Sequence, residues 1–563
     1  MRVFGKVVLV ALCFYFINQV FIENRAIYYI NIERYDRLAV YLLSLVLVFG
    51  IVELLAFTRM KIRIPFLILF LAGSIPYLIY FYSTSTELTY EDFRTLFSAK
   101  AMVSDAAQSY QSDIIKVVLM HIPITIAILL MPKTYLNWKW TGFAIFLYCV
   151  GIAAMLHFIF HKNGRGTSGR ASYLVPVAQA VTYGYLNRPG AEDRSFIYYP
   201  REILTENDLD APISDTILFV IDESIRADMI DLNNPQGTTP ALLEFDPAHY
   251  LNFGYTMSFG NCSESSNLAM RKAPRLGKEP SDLFLTKESI WEIAINAGYT
   301  PYLIDAQHNA KGHNFYTDEE LKAVNVIPGS HLQSDGDIVP VIEEILQKEA
   351  GNKTFIYVST KGSHFPFQNY GFEEHFTPAM KNTNFKSAEP IEVMNSYKNL
   401  IRANTNEFFN NIRPLLENRP NIAMIYTSDH GQELKDPKGK KTHCDLRDTT
   451  LEEGTVPFLI FGDESILTAP LVEKTHRNSG IQTQMMVPSI IMNLMGYRDA
   501  SIERYTEYSQ LLNQESAVGF VYKSPVPQFR NDVERYPITR EELEYFKTHG
   551  KSFERERASE YED

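Results

Sequence analysis

Thr216-Ile217-Leu218-Phe219-Val220-Ile221-Asp222-Glu223-Ser224 decides how this chain is read. Residues 217–221 are all apolar, and a polar residue stands on each side. Polar-apolar alternation disappears in a strand that is covered on both faces, so the stretch reads as a central buried β-strand. In open α/β sheets, ligands collect just beyond the carboxyl ends of such strands. Asp222 and Glu223 stand at that point. Far downstream, Ala423-Met424-Ile425-Tyr426-Thr427-Ser428-Asp429-His430-Gly431 repeats the design, an apolar run that ends in Asp-His-Gly. Two strands delivering acid and imidazole to one sheet edge suit a metal ion.

The surrounding sequence supports an α/β domain. Strand candidates are 217–221, 302–304, 354–358, 423–426 and 458–461. Helical stretches alternate with them at 288–297, which stops at Gly298, at 339–347 and at 396–416. This is the βαβ rhythm of a largely parallel sheet, and it extends over 213–500.

The N-terminal part is of another kind. Five hydrophobic segments, roughly 7–22, 38–57, 64–82, 114–131 and 140–160, each approach the ~20 residues needed to cross a bilayer. The first is read as a retained helix, because four more spans follow and no small-x-small cleavage site does. Arg2 and Lys6 precede the first span, Arg59, Lys61 and Arg63 fill the loop after the second, and Lys133 and Lys139 fill the loop after the fourth. The loop after the third carries Glu87, Glu91, Asp92 and Asp105. The positive-inside rule then puts the N-terminus in the cytoplasm and everything after Phe160 outside. Glu53, near the end of the second span, is expected to reach the interface; a functional intramembrane carboxyl is the alternative.

The expected organisation is a five-helix transmembrane domain (1–162), a connector (163–212), a catalytic α/β domain (213–500) and a polar C-terminal tail (501–563). The connector starts Gly/Ser-rich and continues into an apolar run, with Tyr173, Tyr183 and Tyr185 as candidate interface anchors. A surface-lying helix and an ordinary packed connector both fit it. The end of the tail, 540–563, is charged enough for a solvated helix or disorder. The whole chain has 53 Lys and Arg against 66 Asp and Glu, a net charge of −13 with no large basic block, which argues against nucleic acid as a partner.

Glu223, Ser266, Asp429 and His430 are the residues that carry chemistry. Two carboxylates and an imidazole suit zinc, with a fourth position open to a hydroxyl. A metal-bound serine hydroxyl has a lowered pKa and becomes a nucleophile at neutral pH.

Several motifs together resemble the phosphoethanolamine transferases of the alkaline phosphatase superfamily. Val220-Ile221-Asp222-Glu223-Ser224-Ile225-Arg226 followed by Thr238-Thr239-Pro240 resembles their entry motif. Ser428-Asp429-His430-Gly431 resembles their second metal motif, Gly362-Ser363-His364-Phe365-Pro366 their Gly-Ser-His-Gly-Pro stretch, and Gln307-His308-Asn309-Ala310-Lys311-Gly312 their substrate-side segment. Five spans ahead of an external α/β domain is also their architecture.

The resemblance implies roles. Glu223, Asp429 and His430 would hold a catalytic Zn2+. The nucleophile would lie in Gly260-Asn261-Cys262-Ser263-Glu264-Ser265-Ser266, and the family's spacing of four residues after a cysteine points to Ser266, with Ser263 and Ser265 as alternatives. Gln307, Lys311, His364 and His443 would bind substrate, with a second ion near His364 and His443 left open. The nucleophile would take phosphoethanolamine from phosphatidylethanolamine, release diacylglycerol, and pass the group from a phosphorylated serine to an envelope glycolipid such as lipopolysaccharide, in lipid A or core. Such a protein would sit in the bacterial inner membrane with its catalytic domain in the periplasm. The family's local disulfides are mostly missing here, and Lys272 stands where a partner for Cys262 would be expected. Cys262 and Cys444, each next to a proposed site residue, are expected to pair with each other, with two free thiols as the alternative. Asp222 stands where relatives commonly have glycine; it is either a partner that orients a ligand or a strand end that faces water.

Rival readings are few. A sulfatase shares the fold but needs Cys or Ser followed by x-Pro-x-Arg, which 262–266 lacks. A glycerophosphate or other headgroup transferase fits the same nucleophile logic. A non-catalytic membrane regulator would have lost its ligands, and here all four ligand-type positions are filled.

Overall fold

The computed structural model describes residues 2–84, 87–98, 110–130, 136–162, 164, 166–167, 170, 172–188, 201, 203–275, 286, 288–307, 314, 316–365, 367, 374–381, 388–434, 442–444, 450–477, 482–512, 520–521, 535–536 and 538–550. The chain divides into two compact units, the first built on residues 1–195 and the second on 196–525 and 531–557.

The described helices of the first unit are α1 (Arg2–Asn31), α2 (Tyr35–Ala56), α3 (Met60–Thr84), α4 (Tyr90–Ser98), α5 (Gln111–Leu129), α6 (Trp138–His161) and α7 (Val175–Leu186). Among the described residues, α1, α2, α3, α5 and α6 are long and apolar enough to cross a membrane. Large apolar side chains such as Leu43, Val46 and Leu47 on α2 and Phe146 on α6 point away from the helix packing. Such a surface suits lipid and is costly in water. Glu53 is buried rather than projecting outward, and neither carboxylate oxygen has a hydrogen-bond partner among the described residues.

The segment leading into α7 enters this helix packing. Tyr173, expected as an interface anchor, is fully buried, and its hydroxyl donates to the Val48 carbonyl of α2 at 3.1 Å. Its backbone lies against Gly73 of α3, where any side chain would collide with the Tyr173 carbonyl. Ser172 donates to Asn18 of α1 at 2.8 Å and lies 3.2 Å from Ser74 of α3, which in turn is 2.9 Å from His121 of α5. Polar groups buried among apolar helices satisfy one another, because no water is there to do so.

The second unit is built on an eight-stranded sheet in the order β4-β3-β5-β1-β6-β7-β2-β8. Its strands are β1 (Thr216–Asp222), β2 (Tyr250–Met257), β3 (Thr300–Asp305), β4 (Asn325–Pro328), β5 (Thr354–Ser359), β6 (Ile422–Ser428), β7 (Thr455–Phe461) and β8 (Gln482–Thr483). β7 runs antiparallel to both β6 and β2, and the other neighbours are parallel. β1 lies between β5 and β6, and its odd and even residues enter different cores. Ile217, Phe219 and Ile221 face one, Leu218 and Val220 the other. That two-sided burial is why the alternation is lost in the sequence. Each such side chain contributes roughly 1.5–3 kcal/mol by leaving water.

One core is closed by α8 (Ser263–Lys272), α9 (Ile290–Asn296) and a later helix, α13 (Val487–Leu494). The other is closed by α10 (Ile338–Lys348), α11 (Pro390–Ala403) and α12 (Thr405–Asn418). The single helix expected over 396–416 is thus two, interrupted at Asn404. β2 escapes a reading by pattern because Asn252, Gly254 and Thr256 interrupt its apolar run, and the sheet is irregular between Asn252 and Tyr255. In the polar tail, α14 (Arg540–His549) starts with a Thr539/Glu542 capping box and buries Leu543 and Phe546 beside Tyr255, Met257 and Leu451.

Candidate active site

Parallel register sets the site. Ile221 pairs with Ser359 of β5, Asp222 with Ser428 of β6, and Asp305 of β3 with Ser359. The carboxyl ends of β3, β5, β1 and β6 therefore finish side by side, and the next residues of each form the site. Glu223 follows β1, and Asp429 and His430 follow β6. Among the described residues, these three form a group whose ligand atoms lie within 4.8 Å of one another, all buried.

Each member of the group is held by hydrogen bonds from its neighbours. His430 Nδ1 donates to the Gly431 carbonyl at 2.7 Å, which turns the Nε2 lone pair toward the two acids. Asp429 Oδ1 accepts the N–H groups of Ser224 and His430 at 2.9 and 2.8 Å, and Oδ2 has no hydrogen-bond partner among the described residues. Glu223 Oε1 accepts the Ser224 hydroxyl at 2.6 Å, and Oε2 accepts Gln307 Nε2 at 3.0 Å. Burial, and next the Asp429 carboxylate, push the Glu223 carboxyl well above the usual carboxylate range. Two buried acids beside an imidazole lone pair are costly alone and are relieved by a cation. Carboxylate oxygens and an imidazole Nε2 gathered in this way are a donor set that zinc takes.

The three serines of 263–266 part ways. α8 starts at Ser263, directly after Cys262. Ser263 Oγ lies 3.1 Å from His430 Nε2 and 3.4 Å from each Glu223 oxygen. Ser266, the residue favoured from the spacing, turns back one helical turn. Its Oγ accepts the Gly260 N–H at 3.0 Å and donates to the Gly260 carbonyl at 2.9 Å. Ser265 donates to the Cys262 carbonyl at 2.9 Å. Of the three, Ser263 is the one whose hydroxyl lies against the acid-imidazole group, and it stands at the positive end of the α8 dipole. Spacing alone does not separate them, since residues three apart share a helix face; the deciding feature is that α8 begins at Ser263, while the Ser266 hydroxyl turns to Gly260.

Other candidates fall around this group. Gln307, expected to bind substrate, instead donates to Glu223 and to the Thr360 carbonyl, at 3.0 and 2.8 Å. The His443 ring stacks on that of His430 with centroids 4.6 Å apart, and His364 meets His443 at 5.2 Å. Three imidazoles therefore stand in a row. Cys262 and Cys444 are joined as a disulfide, which ties the start of α8 to the His443 loop, and the Cys444 N–H donates to the Asn261 carbonyl at 2.9 Å. Lys311 lies outside the described residues. Ser224 was not anticipated; it binds both acids from a left-handed turn at φ 63°.

Residues 215–497 match the sulfatase family model. The chain belongs to the sulfatase family. It is 26% identical over 438 residues to the phosphoethanolamine transferase CptA of Salmonella typhimurium, covering 70% of this chain and 72% of CptA. It is 26% identical over 388 residues to the phosphoethanolamine transferase EptC of Escherichia coli K12, covering 62% of this chain and 65% of EptC, just under two thirds of that relative. Among solved structures, the integral membrane protein lipooligosaccharide phosphoethanolamine transferase A (EptA) of Neisseria meningitidis superposes with a TM-score of 0.61 at 17% identity, covering 87% of this chain and 95% of EptA. The fold is therefore that of EptA.

Proposed function

We propose that this protein transfers phosphoethanolamine from phosphatidylethanolamine to a hydroxyl or phosphate of an envelope glycolipid, at the periplasmic face of a bacterial inner membrane. The observation that carries the reading is Ser263 Oγ, 3.1 Å from His430 Nε2 among two buried acids, in a chain similar to phosphoethanolamine transferases. Five apolar helices would keep the catalytic unit beside its lipid donor, which has little presence outside a bilayer.

The geometry supports the following roles. Glu223, Asp429 and His430 would hold zinc, whose positive charge makes a neighbouring hydroxyl acidic and offsets charge on a phosphoryl group. Ser263, at the N-terminus of α8, is the nucleophile, and the first-turn N–H groups favour the negative charge it develops. It attacks the phosphorus of the donor, the bond to the diacylglycerol oxygen breaks, and phosphoethanolamine stays on Ser263. An acceptor oxygen then attacks the same phosphorus and restores the serine. His364 and His443 are the groups placed to hold or move the acceptor's proton. Gln307 orients Glu223, and Lys311 keeps its expected part in neutralising the phosphoryl group.

Full-length protein in vesicles that carry headgroup-labelled phosphatidylethanolamine and lipid A tests the proposal. It predicts diacylglycerol release and label on the glycolipid. Release from phosphatidylglycerol but not from phosphatidylethanolamine would instead make it a glycerophosphate transferase.

A further inference from the structure

Asp222 is the acid that the metal group leaves out. It ends β1, directly before Glu223, and is buried. Acidic residues at this sheet edge are natural ligands, yet its carboxylate is already saturated. Oδ1 accepts the Glu223 N–H at 2.9 Å and the Thr360 hydroxyl at 2.6 Å. Oδ2 accepts the Thr405 hydroxyl at 2.8 Å and the Tyr426 hydroxyl at 2.7 Å. A carboxylate offers about four lone-pair sites, and all are used.

The donors come from separate elements. Thr360 follows β5, Tyr426 belongs to β6, and Thr405 opens α12. The break between α11 and α12 gains a purpose here. A continuous helix would carry residues 404 and 405 past the sheet edge. Interrupted, Thr405 reaches Asp222, and Asn404 Nδ2 reaches the Gly362 carbonyl at 2.6 Å. Gly362 itself packs against both Glu223 and Asp222, since a Cβ on it would stand 2.6 Å from the Glu223 nitrogen and 2.7 Å from Asp222 Oδ1, and its φ is +55°. Asp335 holds the same loop from the other side, accepting the Lys361 and Gly362 N–H groups at 2.7 and 2.9 Å. The Asp222 carbonyl, finally, accepts the Asp429 N–H at 2.9 Å and the Ser428 hydroxyl at 3.0 Å.

We infer that Asp222 is a positioning residue for the metal centre. Its carboxylate sets the Glu223 backbone and the Gly362-Ser363-His364 loop, and its carbonyl sets Asp429, so one residue fixes both acidic ligands and the loop beside them. It acts through those groups and does not touch the ion. This rests on the metal-site reading above. A ligand partner of this kind typically changes metal affinity by roughly 10–100-fold when altered.

Zinc affinity of the purified full-length protein, measured by competition with a chromophoric chelator, tests the inference. Thermal unfolding of the zinc-free protein is followed in parallel. Asp222→Asn keeps the shape but removes the charge and exchanges one accepting oxygen for an N–H donor. It is expected to weaken zinc by roughly 10–100-fold, more than any shift in zinc-free stability accounts for. Thr405→Val and Tyr426→Phe leave the carboxylate in place and remove one donor each. They are expected to weaken zinc to a smaller, graded extent, and they carry the test if Asp222→Asn does not fold. Wild-type zinc affinity in folded Asp222→Asn, or in both donor variants, overturns the inference. His430→Ala is the control for the underlying reading. It should abolish zinc binding, and if it binds like wild type, the metal site and the role of Asp222 fall together.

Discussion

Ser263 and Ser266 differ by three positions and by what their hydroxyls touch. Ser263 Oγ meets His430 and Glu223, whereas both hydrogen-bonding capacities of Ser266 Oγ are taken by Gly260. Ser263→Ala is therefore expected to lower headgroup transfer by at least about 10³-fold with folding intact. Ser266→Ala is expected to keep most transfer activity and to lose about 1 kcal/mol of stability with its local bonds. Equal losses in both variants would refute that division. Asp335 makes a second expectation at this scale. Burial, and next the Asp222 carboxylate, push its carboxyl up to about 7. The unfolded chain releases that proton near pH 3.9, whereas the folded chain holds it to about pH 7. Its contribution to stability is thus complete below about pH 4 and is lost as the pH rises through about 7. The melting temperature of zinc-free protein should fall across that window, and Asp335→Asn should remove that part of the slope. An unchanged slope in the variant would contradict the shift.

Among the elements, β1 and β6 were legible in the sequence because two-sided burial leaves an uninterrupted apolar run that ends in polar residues. β2 was hidden by Asn252, Gly254 and Thr256, and β4 by its four-residue length and terminal proline at the sheet edge. Glu223, Asp429 and His430 could be singled out because chemistry and strand ends coincide at them. The choice among three serines turned on where α8 begins, and one residue of helix phase redirects a side chain by about 100°. Tyr173 and α7 were beyond reach for a different reason: an apolar run looks the same whether lipid or protein covers it. The Cys262–Cys444 bond closes a loop of 182 residues. The chain-entropy model gives such a cross-link about 5 kcal/mol. Cys262→Ala/Cys444→Ala is expected to melt well below wild type and to lose transfer activity as the His443 loop parts from α8. A melting temperature indifferent to this change would show that the two loops are held without it.

At the scale of the whole molecule, a helical unit with lipid-facing apolar surface and an α/β unit with a buried acid-imidazole group make one polypeptide. A lipid-headgroup transferase needs both: residence in the bilayer that holds the donor, and a nucleophile that can carry the headgroup between two substrates. The net charge of −13 and the absence of a large basic block fit a partner approached through the membrane rather than a polyanion in solution. The central claim is that the headgroup travels on Ser263. Its most direct test is peptide mass spectrometry of full-length protein incubated with phosphatidylethanolamine and no acceptor. The prediction is a gain of about 123 Da, one phosphoethanolamine, on Ser263. The same gain on Ser266, or no covalent gain while transfer proceeds when acceptor is added, would contradict it.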